Sequence, residues 1–342
     1  MKKALALLLA AALLVTMAAC TGTAPAATTA PAETTAPAET AAPAPAETEA
    51  SKTYTVGICQ LVQHPALDAA TEGFKAALTE ALGDSVKFDE QNASGESVNC
   101  ATIINGFVAS NVDLIMANAT PALTAATSAT ADIPILGTSV TDYASALEID
   151  NWTGTVGTNV SGTSDLAPLD EQAAMLQELF PDAKKVGLLY CSAEANSQYQ
   201  VDEMTKYLTE LGLTATAFAF TDTNDVASVA QAACDASDVL YIPTDNTAAS
   251  NTEAIANVVL PAKVPVIAGE EGICGGCGIA TLSISYYDLG YATGKMAVQV
   301  LTGEADISAM PIEYAPQVTK KYNAANCDAL GVTVPDDYVV ME

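Results

Sequence analysis

Six short clusters of hydroxyl, amide and carboxylate side chains stand just after apolar runs in this chain, and together they suit the capture of a zwitterion. Gln63-His64-Pro65 holds the only histidine, at a helix start where free backbone N–H groups favour an anion. Asn118-Ala119-Thr120-Pro121 again puts polar groups at a helix start, and Thr138, Ser139, Thr141 and Asp142 follow the next apolar run. Further along, Tyr190-Cys191-Ser192 leads to Glu194, Asn196 and Ser197, Pro243-Thr244 to Asp245 and Asn246, and Ala268-Gly269 to Glu270 and Glu271. Hydroxyls and helix starts dominate the first three clusters, carboxylates and amides the last three. The first set offers donors to a carboxylate; the second offers Asp and Glu to an ammonium. The candidate ligand contacts are Gln63, His64, Thr120, Thr138, Thr141, Asp142, Glu194, Asn196, Ser197, Asp245, Asn246 and Glu270. Each alone also fits a helix N-cap, so the case rests on their convergence.

Other chemistries find less support. There is one histidine, and no Ser or Cys stands in a nucleophile elbow. Cys274-Gly-Gly-Cys277 precedes a strand-like run, whereas a redox pair opens a helix after a strand, and no zinc ligands stand near it at tight spacing. A loop disulfide or two idle thiols are the readings for that pair, and seven cysteines besides Cys20 leave an odd count for any framework. Adjacent Glu270 and Glu271 point to opposite faces of an extended chain, which argues against an acid–base pair. No enzymatic activity, cofactor or metal is expected.

The elements that position these clusters alternate apolar strand-like runs with helical periodicity, the pattern of a parallel α/β sheet. The first series has strands over 54–61, 86–89, 113–117, 133–137 and 154–158, with helices over 65–81, 97–110 and from 121. A second series of the same rhythm has strands over 185–190, 214–219, 239–243, 264–268 and 279–284. Its helices run over 169–180, 196–211, 226–233, 247–259 and 287–301. Two similar doubly wound lobes are expected, an N-terminal one from 52–162 with about 286–312 and a C-terminal one from 163–285 with about 313–342. The hinges are expected around 160–163 and 283–286. Ligands of such sheets sit outside the carboxyl ends of the strands, here in the cleft between two lobes. Tyr143, Tyr286 and Trp152 are read either as aromatic platforms in that cleft or as packing residues.

The chain opens as an export signal. Lys2 and Lys3 precede an apolar run over 4–15, and Met17-Ala18-Ala19-Cys20 is similar to a bacterial lipobox, so residues 1–19 read as a signal peptide and Cys20 as the lipidated residue. Residues 20–51 are nearly all Thr, Ala, Pro and Glu, too poor in apolar surface to fold, and reach about 30 Å as a flexible coil. The expected location is the outer face of the cell membrane, held by lipid. All 12 basic residues are Lys, against 41 Asp and Glu, for a net charge of −29. That surface repels nucleic acid and anionic headgroups, and without Arg the bidentate grip on phosphate is missing.

Several of these blocks also carry a family resemblance: residues 63–68, Val140-Thr141-Asp142, Gly162-Thr163-Ser164-Asp165, Glu194-Ala195-Asn196-Ser197, Tyr241-Ile242-Pro243-Thr244-Asp245-Asn246-Thr247 and Ala268-Gly269-Glu270-Glu271-Gly272. They resemble the solute-binding proteins of ABC importers assigned to tryptophan and tyrosine, from about residue 54 to the C-terminus. The resemblance implies a type I periplasmic-binding-protein fold with three inter-lobe crossings, and an amino acid, aromatic in kind, as cargo. It further implies a monomer that delivers to ABC permease subunits. A sensory module for the same solute, or an enzyme on a small metabolite, are the alternatives.

Overall fold

Apolar runs in this chain become parallel strands because helices cover both faces of each sheet. The structure, a computed structural model, describes residues 52–315 and 317–341. The expected signal peptide (1–19), the lipidation site Cys20 and the tether (20–51) lie outside the described residues. The first series runs β1 (Tyr54–Gln60), α1 (Pro65–Leu82), β2 (Val86–Asn92), α2 (Ser97–Ser110), β3 (Leu114–Asn118), α3 (Thr120–Ala129), β4 (Ile135–Val140), the single turn α4 (Tyr143–Ala146) and β5 (Val160–Ser164). The second runs α5 (Leu169–Leu179), β6 (Lys185–Cys191), α6 (Ala195–Glu210), β7 (Thr214–Phe220), α7 (Val226–Ala236), β8 (Val239–Ile242), α8 (Asn246–Ala249), α9 (Thr252–Ala262), β9 (Val266–Ala268), α10 (Glu271–Gly276) and β10 (Ala280–Ser283). The chain closes with α11 (Tyr286–Thr302), β11 (Glu313–Tyr314), β12 (Thr319–Tyr322), α12 (Ala324–Leu330) and β13 (Val339–Val340).

One sheet has the order β11-β5-β4-β3-β1-β2 and the other β13-β12-β10-β9-β8-β6-β7. All pairings are parallel except β10 with β12. Each sheet thus steps outward in both directions from its first strand. The strand order reverses between β1 and β3 in one sheet and between β6 and β8 in the other, and those are the places where open α/β sheets bind ligands. Alternation along the strands sends Val56, Ile58, Leu114 and Met116 to the α1–α11 face, and Cys59, Ile115 and Ala117 to the α2–α3 face.

Three crossings join the two lobes: β5 to α5, β10 to α11, and β11 to β12. After the second crossing α11 lies along α1 with the backbones in contact. A Cβ on Gly290 would overlap the Ala70 carbonyl, and one on Gly73 the Tyr287 carbonyl. Glycine at both places is what lets the helices approach so closely.

Some expectations need correction. The fifth strand is Val160–Ser164, not 154–158, so the expected hinge strand around 160–163 is β5, which leads into the first crossing. Gly154 and Gly157 take φ of 91° and 78°, and the segment they belong to is loop. The helix expected over 247–259 is two, because Asn251 leaves helical geometry (φ −126°, ψ 25°) between α8 and α9. The lobe boundary also shifts. Thr163 pairs with Glu313 and Ser164 with Tyr314, which puts all four residues in the first sheet.

Candidate ligand-binding site

The carboxylates expected to hold an ammonium are already engaged. Glu194 precedes α6, yet its side chain reaches α8: Oε1 accepts from Thr247 N (2.8 Å) and Oγ1 (2.7 Å), and Oε2 from Asn246 N (3.0 Å) and Nδ2 (2.6 Å) and Asn196 Nδ2 (3.2 Å). Asp245 caps α8 through Ala248 N (2.8 Å) and ties it to the end of β6 through Cys191 N (2.6 Å), with Ser197 also bonded to it. Glu270 caps α10 through Gly272 N and Ile273 N. Burial, with repulsion from Glu194 second, pushes Asp245 up to about 7, and burial likewise pushes Glu270 up to about 7, although backbone N–H donors oppose both shifts. These three side chains build the rim of the second lobe. Their lone pairs are directed at that lobe's own backbone and side-chain donors.

In the first lobe the candidates divide. Gln63 is exposed. Asp142 caps α4 by accepting from Ser145. Thr138 belongs to an internal hydroxyl ladder with Thr163 (3.2 Å), which in turn meets Thr293 (2.8 Å). Thr141 donates to Asp165 Oδ1 (3.1 Å), while the Tyr286 hydroxyl donates to Asp165 Oδ2 (2.9 Å). That trio ties the end of β4 to the first and second crossings, and burial raises Asp165 to about 6. Tyr143 is a core residue: it is buried, its hydroxyl donates to the Thr163 carbonyl, and its ring end leaves no room for a Cβ on Gly137 or Gly162. Trp152 packs against the α2–α3 side of the first core. Neither offers a platform in the cleft.

His64 crosses between the lobes: its Nε2 lies 3.3 Å from Asn246 Oδ1, joining the residue before α1 to the first residue of α8. Beside this contact lies a cavity of about 370 Å³, lined from the first lobe by Leu61, Val62 and Pro121 and from the second by Cys191, Glu194 and Asn246, among others. A larger cavity of about 630 Å³ lies at α3 and residues 146–160 and contains none of the candidate residues.

Buried polar atoms without a partner concentrate at the same strand ends. Among the described residues they are His64 Nδ1, Asn118 Oδ1, Thr120 Oγ1, Ser139 Oγ and Asn196 Oδ1, with Thr281 Oγ1 inside β10 as a sixth. Each such atom costs about 1–3 kcal/mol if left unpaired, so the five near the strand ends are candidates to meet a polar ligand. Backbone strain marks the same places. Ala119, between Asn118 and Thr120, has φ of 89°, and Ser139 has φ of 53° where the β4–β5 register shifts. Asn118 and Ser139 are additions to the candidate set. Both follow apolar runs in the sequence, but their unpartnered state depends on neighbours distant in the chain.

Two sheets of this order, joined by three crossings with polar groups converging at both reversal points, define a two-lobed binding protein. A family profile described as ABC transporter substrate binding protein matches residues 55–341, and the chain belongs to that family. It is 37% identical to a tyrosine-binding protein of Clostridioides difficile (strain R20291) over 262 residues, 76% of each chain. It is similar, at 33% identity and TM-score 0.80, to the ABC domain in complex with L-Trp from Streptococcus pneumonia, over 85% of this chain and all of that one. A ligand-free, open substrate-binding protein with adhesive properties from Clostridium difficile is 36% identical, over 85% of this chain and 99% of that one, yet has a TM-score of 0.65. Greater identity with poorer superposition agrees with lobes that here meet through His64 and Asn246.

Proposed function

We propose that this protein binds an aromatic L-amino acid between its lobes and presents it to an ABC permease, as a monomer held at the outer face of the membrane by a lipid on Cys20. The observation that carries the reading is the set of five buried, unpartnered polar atoms at the facing strand ends, drawn from both lobes. A zwitterion supplies both donors and acceptors to such a set, and an aromatic side chain suits a cleft bordered by Leu61, Val62 and Pro121. The tyrosine-binding relative and the relative bound to L-Trp support the cargo class. The residues found at the cleft cap helices and tie strand ends together, which suits binding better than turnover.

Calorimetric titration of residues 52–342 with tyrosine, tryptophan, phenylalanine, sugars and nucleosides tests the cargo. Aromatic amino acids are expected to bind and the other two classes not to; the reverse pattern overturns the reading. For the anchor, Cys20→Ala is expected to release the protein from membranes into the medium.

A further inference from the structure

Hydrogen-bond direction fixes what each unpartnered atom can do, and direction is set by groups that can only accept. A carboxylate and a backbone carbonyl have no proton to give. Asp68 Oδ1 (2.6 Å) and the Val62 carbonyl (2.9 Å) take hydrogens from Gln60 Nε2, which leaves Gln60 Oε1 to accept from the Thr71 hydroxyl (2.7 Å). With its proton spent, Thr71 accepts from Asn118 Nδ2 (3.0 Å), whose second hydrogen goes to the Leu67 carbonyl (2.8 Å). Asn118 Oδ1 is therefore an acceptor with nothing to accept.

The second lobe repeats the logic. Asn196 Nδ2 donates to Glu194 Oε2 (3.2 Å) and to the Thr244 carbonyl (3.1 Å), so Asn196 Oδ1 is likewise a free acceptor. Glu194 Oε2 also takes Asn246 Nδ2 at 2.6 Å, which turns Asn246 Oδ1 toward His64. His64 Nε2 must then carry the hydrogen of that contact. In a neutral ring Nδ1 becomes a lone pair, a third free acceptor. The two remaining groups, Thr120 Oγ1 and Ser139 Oγ, are hydroxyls able to donate.

We propose that Asn118 Oδ1, Asn196 Oδ1 and His64 Nδ1 together receive the three N–H groups of the ligand's ammonium, and that Thr120 and Ser139 hydroxyls donate to its carboxylate. The ammonium is thus read by neutral acceptors from both lobes, with Asp68 and Glu194 as positioning residues behind them. This inference rests on the amino-acid reading above and names the recognition within that site. Each acceptor residue is more than nine-tenths buried. Rejection of ligands that lack the amine follows, because three acceptors would stay desolvated and unpaired.

The test is a three-ligand titration with tyrosine, tyramine (no carboxylate) and 3-(4-hydroxyphenyl)propionate (no amine). Asn118→Leu and Asn196→Leu are expected to weaken tyrosine and tyramine by at least about tenfold, the scale of one lost charge-assisted hydrogen bond, and not to weaken the propionate, which no longer leaves that acceptor unpaired. Thr120→Ala with Ser139→Ala is expected to weaken tyrosine and the propionate but spare tyramine. Thr71→Val, which never touches ligand and frees the Asn118 amide to rotate, is the milder variant should Asn118→Leu fold poorly; it should show the Asn118 pattern in reduced form. Protonating His64 removes its acceptor, so wild-type tyrosine affinity should fall as pH drops through the imidazole's pKa, which burial holds under its ordinary value, and His64→Gln should flatten that fall. The charged groups facing His64 are Asp68 and Glu194, with Asp245 behind Glu194. If the amide variants weaken all three ligands alike, or none, the assignment is overturned while the amino-acid reading stands. If the wild type binds no aromatic amino acid, the amino-acid reading itself fails.

Discussion

At the scale of single residues, the most consequential side chain is Glu194, because its two oxygens organise five donors around one lobe's rim. Glu194→Gln would turn an N–H toward backbone N–H groups that need an acceptor. We expect this variant to lose about 2–4 kcal/mol of stability in urea denaturation and to weaken ligand through Asn196 and His64. The titrating groups make a second, separable prediction. Asp245 and Glu270 sit near 7 and Asp165 near 6, all raised from the ordinary carboxyl range by burial, so the folded chain holds protons that the unfolded chain releases. Their destabilising effect is full above pH 7 and fades as pH falls through those values. His64, lowered by burial, works in the opposite sense below 6.5 but is one group against three. The melting temperature of the ligand-free domain should therefore rise from pH 8 to pH 5.5. A melting temperature that falls steadily over that range would contradict the buried carboxyls. Of the site itself, the sequence made the strand-end clusters legible, as His64, Thr120 and Asn196 illustrate. It could not show that Glu194, Asp245 and Glu270 turn their oxygens on donors of their own lobe, since that depends on which loops the sheets bring together.

At the scale of elements, the α1–α11 contact is the most sensitive junction, since Gly73, Gly290 and Gly294 there lie against opposing backbone carbonyls. Gly290→Ala should force the helices apart and cost about 2–4 kcal/mol, read as a lower urea midpoint with the slope unchanged. A full-stability variant would mean that the helices can separate without loss. Most strands and long helices were readable because apolar period and helix-start residues agree, as in β1 with Pro65 opening α1. Val160-Ser-Gly-Thr-Ser164 was not. Its side chains are small because Tyr143 fills the space beside Gly137 and Gly162; its Thr163 hydroxyl joins the ladder to Thr138 and Thr293, while Ser161 and Ser164 donate to the Met310 and Thr141 carbonyls. Such a strand carries no apolar signal of its own. β11 and β13, two residues each, are likewise defined only by the strand they pair with.

At the scale of the whole molecule, binding and closure are one event if both lobes supply acceptors for the same ammonium. Small-angle scattering should show a smaller radius of gyration on addition of tyrosine to residues 52–342, and His64→Ala, which removes the cross-lobe contact, should weaken that response. An unchanged radius would separate binding from lobe motion. Tyr286→Phe probes the hinge, because it strips Asp165 of the donor that joins the second crossing to the first; the expected outcome is faster ligand dissociation in stopped-flow fluorescence. The three crossings also constrain how such a protein can diversify. Each lobe is assembled from stretches of chain separated by stretches of the other. No single recombination event can exchange one lobe for a homologue's while leaving its partner intact. New cargo must instead be acquired by point changes at the strand ends, one side chain at a time, on a frame inherited whole.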